Sequence, residues 1–248
     1  MKYRMVLKIT YIIDGFMKFL NPLITGQLIK RYKRFLADVI LSSGQTVTAH
    51  CTSTGAMLGL LTEGARVWLS PATNPERKLK YTWEMVESDG VKVGVNTSHP
   101  NVLVQEAIET NVIPDLAGYT KIRREVKYGQ NSRIDLLLQE GTQPDCYVEV
   151  KNVHLRQGNH VEFPDAVTDR GAKHLREMRE MVASGYRAAM VYVVQRDDCD
   201  RFRLAQDIDP AYAQIAAEVF KSGVEAYAYA CDMQEDGIRL YRKLTIDY

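Results

Sequence analysis

The sequence predicts an α+β protein of two domains, an N-terminal barrel like an OB-fold followed by a larger α/β domain with the order αβββαβ. Three observations carry this. Residues 23–97 hold short β-rich runs separated by turn signals. After Asn96 the pattern changes to helix, three strands, helix and strand. Two of those later strands carry Asp135 and Glu149-x-Lys151, an arrangement suited to a metal-assisted nuclease.

The runs in the first domain are 34–41, 45–51, 65–69, 80–87 and 91–95, rich in β-branched and apolar residues. Ser43-Gly44, Gly55, Glu63-Gly64, Pro71 to Pro75 and Asp89-Gly90 punctuate them. About five short strands at this spacing suit a small closed barrel. Ahead of them, residues 1–22 read as an extension or as a mis-assigned start. Lys8, Asp14 and Lys18 interrupt the apolar run that a signal peptide needs, and the stretch is too short and charged to span a bilayer. Met17 is the favoured first residue, with Met1 the alternative.

In the second domain, 98–248, residues 101–111 have the spacing of a helix, and 119–127, 132–139 and 145–152 read as strands. A long helix is expected over 165–184. Leu175, Met178 and Val182 form its stripe, and Gly185 stands where a terminating glycine belongs. Residues 187–194 are a buried-type strand, Asp209-Pro210 opens a helix through Lys221, and a hairpin through Asp236-Gly237 closes the chain. A helix feeding a meander, then a helical crossover to a fourth strand, is an α/β sandwich plan.

The chain has 248 residues, 46% hydrophobic and 25% charged, and a net charge of +1. That is ordinary for a globular protein, so only local clusters of charge can point to nucleic acid. The four cysteines are scattered, which excludes a C-x-x-C zinc or redox motif and fits a reducing cytoplasm. There is no glycine-rich phosphate loop or G-x-S-x-G elbow. The five histidines have no ligand spacing.

Strand side chains alternate, so Glu149 and Lys151 share a face. A hairpin folding near Thr142 sets Asp135 opposite Glu149. Facing carboxylates repel, and a divalent cation, Mg2+ or Mn2+, offsets this best, with Asp135, Glu149 and Glu106 of the preceding helix as ligands. Lys151 then steadies developing charge, and Asp135, Glu149 and Lys151 form the catalytic set. The competing account is an ordinary salt bridge between Lys151 and an acid on a solvated face. The apolar neighbours Leu136–Leu138, Val148 and Val150 bring the two readings level.

Basic residues cluster in three places suited to phosphate contact: Lys30, Arg31, Lys33 and Arg34; Lys121, Arg123, Arg124, Lys127 and Arg133; and Arg170 and Lys173. A solvated face competes, most strongly for the 170–179 helix. Core packing is the expected role of Trp68 and Trp83, with base stacking the alternative.

YKRFLADV (32–39), RKLKYTWE (77–84), VNT (95–97), EVKYG (125–129), SRIDLLL (132–138), PDCYVEVKNV (144–153) and FPDAVTDRGAKHLREM (163–178) together resemble the sugar fermentation stimulation protein family. The resemblance covers residues 24–246. It implies an OB-fold followed by a restriction-endonuclease-like domain of the PD-(D/E)XK type, with Asp135, Glu149 and Lys151 at its D…E-x-K positions and Glu106 as the helix-borne acid. It also implies non-specific DNA binding in the cytoplasm, needing no cofactor for that binding, and a regulatory role in sugar (maltose) metabolism. A Mg2+-dependent nuclease acting on DNA or structured nucleic acid is the alternative. Asp165 and Arg170 belong to a family signature whose chemistry the sequence does not give. Cys51-Thr52-Ser53-Thr54-Gly55 departs from the family's C-P-N-T-G, and residues before Met17 have no counterpart.

Overall fold

The computed structural model describes residues 12–13 and 15–248. Two short strands come first, β1 (Ile12–Ile13) and β2 (Phe16–Lys18). The barrel follows: β3 (Ile24–Tyr32), β4 (Leu36–Leu41), β5 (Thr46–His50), β6 (Arg66–Pro71) and β7 (Tyr81–Ser88), with β8 (Val91–Gly94) paired outside β7. Parallel pairing of Ala49 with Tyr81 and His50 with Thr82 closes the ring. A closed ring leaves no free edge, and its inward side chains, Leu28, Val39, Ala49, Leu69 and Trp83 among them, form a dry core.

The longest barrel strand, β3, is absent from the runs read in the sequence. Gly26, Gln27, Lys30 and Arg31 dilute its apolar pattern, and a register shift between Leu28 and Lys30 breaks the alternation. Gly26 is required there: a Cβ would lie 2.5 Å from Val39 Cγ1 and 2.6 Å from the Ile40 carbonyl oxygen.

The second domain contains α1 (Pro100–Glu109), a 3-10 turn (Pro114–Leu116), β9 (Tyr119–Tyr128), β10 (Ser132–Gly141), β11 (Cys146–Val153), β12 (Leu155–Gln157) and β13 (His160–Phe163). Then come α2 (Asp169–Ala183), β14 (Arg187–Val194), β15 (Arg201–Leu204), α3 (Pro210–Lys221), β16 (Glu225–Met233), β17 (Gly237–Lys243) and β18 (Thr245–Asp247). The main sheet has the order β1-β2-β17-β16-β14-β11-β10-β9. Its centre, β11, β14 and β16, is parallel, and antiparallel hairpins flank it. Helix α1 packs on one face with Val148, Val150 and Val191, and α2 and α3 pack on the other with Met190, Tyr192 and Val194. Helices on both faces of a parallel core explain why β14 is buried along its length.

Helix α2 starts four residues later than predicted. Thr168 caps it by accepting from Gly171 N–H at 3.1 Å, so the preceding 164–167 segment stays free of the helix. Strands β12, β13, β15 and β18 form a separate sheet that the sequence reading lacks. Each has three or four residues, too few for a period of two to show. Residues 16–18, assigned above to an extension, run as a strand against β17, with Met17 buried opposite Ile238. The reading of residues 1–11 and 14 lies outside the described residues.

Trp68 and Met85 sit on barrel strands but bury in the α1 core of the second domain, whereas Trp83 buries inside the barrel. Both tryptophans are therefore packing residues. No helix among the described residues is long and apolar enough to cross a membrane.

Candidate metal centre

The β10–β11 hairpin pairs Leu136 with Val148 and Leu137 with Tyr147. One more step of the same register sets Asp135 across from Glu149. Alternation on β11 sends Val148 and Val150 into the α1 core, while Glu149 and Lys151 lie on the α2 side. Asp135 does not complete the ladder with its backbone. Its Oδ2 accepts from Val150 N–H at 2.8 Å, and its Oδ1 accepts from Asn101 Nδ2 at 2.9 Å.

Glu149 is buried and asymmetric. Oε1 accepts from Lys151 Nζ at 2.6 Å and from His174 Nδ1 in a short contact. Oε2 is equally buried and has no partner in the protein. Burial alone would push the Glu149 carboxyl up. The His174 hydrogen bond and the charges of Lys151 and His174 outweigh it and hold the group below its ordinary value. Asp135 goes the other way. Burial, then the charge of Glu149, raise it to about 6, against the opposing bonds from Val150 and Asn101. Tyr128 closes the site, its buried hydroxyl unpartnered and pushed up by burial and by Glu149, Glu177 and Asp135.

This donor set fits a hard divalent cation. One carboxylate carries an orphaned buried oxygen, and its neighbour is pushed up by burial and by the first carboxylate's charge, a repulsion that a cation between them would relieve. The third predicted ligand is not in place. Among the described residues no three His, Cys, Asp or Glu side chains converge with metal-binding spacing. Glu106 is five residues along α1 from Asn101, about 140° round the helix at roughly 100° per residue. Its charged neighbour is Glu109, and burial with that charge raises it to about 7. Asn101 is the α1 residue that reaches Asp135. Two carboxylates suffice for Mg2+, which keeps several waters.

Sequence reasoning missed His174. It weighed the basic residues of the 170–179 helix as phosphate contacts against a solvated face and gave His174 no part in the carboxylate site, yet His174 and Glu177 are buried. The signal was present: 171, 174, 175 and 178 are spaced as one helical stripe, and all four are buried. Arg170 Nε lies 3.5 Å from His174 Nε2, so this half of the FPDAVTDRG signature borders the carboxylates. Asp165 serves elsewhere. Its Oδ2 accepts from Met57 N–H of the barrel at 3.0 Å and lies 3.3 Å from His154 Nε2. A Cβ at Gly55 would meet that carboxylate at 2.4 Å, so Asp165 docks against a bare backbone.

The basic residues fall into three groups. On β9, Lys121 pairs with Glu140, Arg123 reaches Gln139 and Arg124 donates to Gln105. Lys127 and Arg133 border a depression beside Tyr128. On α2, Lys173 donates to the Gln130 carbonyl at 2.7 Å and pairs with Glu177 at 3.6 Å. On the β3–β4 hairpin, Lys30 lies over the Tyr32 ring, and Arg31 donates to the carbonyls of Ser53, Gly55 and Arg34. Lys33 and Arg34 form the turn.

Residues 29–95 match the model of the SfsA N-terminal OB domain, and residues 98–237 match that of the sugar fermentation stimulation protein RE domain. This chain belongs to the sugar fermentation stimulation protein family. It is 58% identical to the family's homolog from Paramagnetospirillum magneticum over 231 residues, covering 93% of this chain and 98% of that one. A homolog from Rhodospirillum centenum is 57% identical over 231 residues, 93% and 99% of the two chains. The solved structure of Pyrococcus furiosus SfsA in complex with Ca2+ superposes with a TM-score of 0.86 at 25% identity. It covers 96% of this chain and 100% of that chain. The OB barrel joined to an α/β domain is thus the family's fold.

Proposed function

We propose that this family member binds DNA without sequence preference and holds a divalent cation between Asp135 and Glu149. The observation that carries this is the carboxylate pair itself. One Glu149 oxygen is braced and the other left bare, and Arg170 reaches His174, the residue that braces it. Cations such as Arg170, and those elsewhere on α2 and the β9–β10 hairpin, contact backbone phosphates without reading bases. Ca2+ in the Pyrococcus furiosus relative is a hard, oxygen-seeking ion of the same class as Mg2+ or Mn2+. A bound cation of this kind would polarise a phosphodiester oxygen and acidify water.

The chain's own residues divide the remaining work. Asp135 and Glu149 supply negative oxygens from adjacent strands. His174 and Lys151 fix Glu149 so that Oε2 stays free. Lys151, with Nζ 2.6 Å from Glu149 Oε1, would steady negative charge developing on a phosphate bound there. DNA binding through the basic groups needs no metal, and a regulatory role in sugar metabolism is consistent with it. Four buried free thiols fit a cytoplasmic setting.

Gel shifts with unrelated duplexes test the binding. A protein neutralising six or more phosphates loses about a thousandfold in affinity between roughly 50 and 200 mM salt. A flat salt response contradicts the proposal. The second reading is Mg2+-dependent cleavage, favoured by Lys151 beside the pair. Nicking in Mg2+ or Mn2+ that disappears in Asp135→Ala establishes it. Nicking that survives the substitution assigns the cutting elsewhere.

A further inference from the structure

The turn at the β3–β4 tip is built from the wrong residues for its shape. Lys33 has φ 50° and Arg34 has φ 63°, left-handed conformations that glycine and asparagine adopt at little cost. Two long cationic side chains in succession there cost conformational energy, and such strain persists where side chains are needed at that point. The next residue, Phe35, leaves 49% of its surface exposed, an unpartnered aromatic beside two cations. No carboxylate of the described residues pairs with Lys33 or Arg34, and Arg31 spends its donors on backbone carbonyls.

Arg34 and Arg31 also line a cleft of about 540 Å³ between the barrel and the second domain. A space of this size takes a nucleotide-sized group and is far too small for a double helix. Its far wall adjoins the carboxylate site along the chain. Thr97 precedes the helix that carries Asn101, Asn152 follows Lys151, and Thr168 caps the helix that carries Arg170 and His174. At the rim, Val167 is 70% exposed.

We infer that the Lys33–Phe35 tip and the cleft beneath it seat a single strand of nucleic acid, with phosphates on Lys33 and Arg34 and a base against Phe35. Cations that track the backbone and an exposed ring that accepts any base are what sequence-independent single-strand binding requires. The inference rests on the DNA-binding reading above and sharpens it to single-stranded segments.

Lys33→Asn/Arg34→Gly tests it without endangering the fold, because both replacements suit the left-handed turn. Fluorescence anisotropy would follow a labelled oligothymidylate of about twelve nucleotides and the matching duplex at low salt. The wild type should prefer the single strand. The double variant should melt at or above the wild-type temperature and bind the strand about tenfold more weakly, and Phe35→Ala should lose a similar factor. Lys221→Ala, an exposed lysine in the last turn of α3 outside the basic clusters, should lose about twofold or less. Unchanged binding in the double variant, an equal loss in Lys221→Ala, or duplex bound as tightly as the strand overturns the inference while leaving DNA binding intact. Failure of the wild type to bind either nucleic acid removes the DNA-binding reading as well.

Discussion

Glu149 shows how one side chain is specified by its surroundings. A bare E-x-K on a strand fits a surface salt bridge as well as a metal site. Burial with one oxygen braced and the other orphaned separates the two. Asp135, Glu149 and Lys151 were legible because alternation and hairpin register are arithmetic on sequence. His174 and Asn101 were not, because each reaches the site from a helix whose rotation depends on packing. Removing the bond that orients a ligand typically weakens metal affinity by about 10–100-fold. His174→Ala should therefore weaken Mn2+ binding by about that factor in titration calorimetry. His174→Asn, which keeps a donor near the Nδ1 position, should recover part of it; equal weakening by both would deny His174 its positioning role. Glu106 behaves differently. Its carboxyl rises from 4.5 to about 7 in the fold, so the acid form is favoured there. Stability from this group is complete below pH 4.5 and is lost as pH rises through about 7. Glu106→Gln should match wild type near pH 4.5 and exceed it by about 1–3 kcal/mol at pH 8, with metal affinity unchanged. Urea melts at the two pH values check this.

At the scale of elements, helix α2 does most to assemble the site, since Arg170, Lys173, His174 and Glu177 come from its first turns. Its hydrophobic stripe was readable, and its true start was not. A cap depends on where Thr168 meets Gly171 N–H, and Asp209, which accepts from Thr168 N–H at 2.8 Å, is 41 residues away. Thr168→Ala should cost about 1 kcal/mol of stability and weaken metal binding through looser placement of His174. A stability loss with metal affinity intact would show that the cap and the site are independent. The small sheet around β15 was illegible for a related reason. The pairings of β15 join distant segments, His160 with Arg201 and Arg201 with Thr245, and local pattern carries no record of them.

For the whole molecule, the two domains are joined by a shared core and a shared polar network. Trp68 and Met85 cross from the barrel into the α1 cluster. Glu84 on β7 accepts from Ser70 at 2.5 Å and Asn96 at 2.7 Å, and its Oε2 lies 2.7 Å from His99 Nε2 at the start of α1. Burial pushes Glu84 up, but the His99 bond and charge, then Ser70 and Asn96, hold it below its ordinary value of 4.5. Its contribution is present above pH 4.5 and lost as pH falls below that value. Glu84→Ala leaves buried partners unpaired and should cost about 3 kcal/mol, a loss that shrinks in acid. Two separate thermal transitions in the wild type would contradict the shared core.

The two-carboxylate metal centre is the claim on which the rest depends. Titration calorimetry with Mn2+ on the intact protein and on Glu149→Ala tests it without requiring any activity. The geometry predicts one cation per chain in the wild type and no measurable uptake in Glu149→Ala, with the variant still folded. Equal uptake by both proteins, or none by the wild type, would return Asp135 and Glu149 to an ordinary buried ion-pair network.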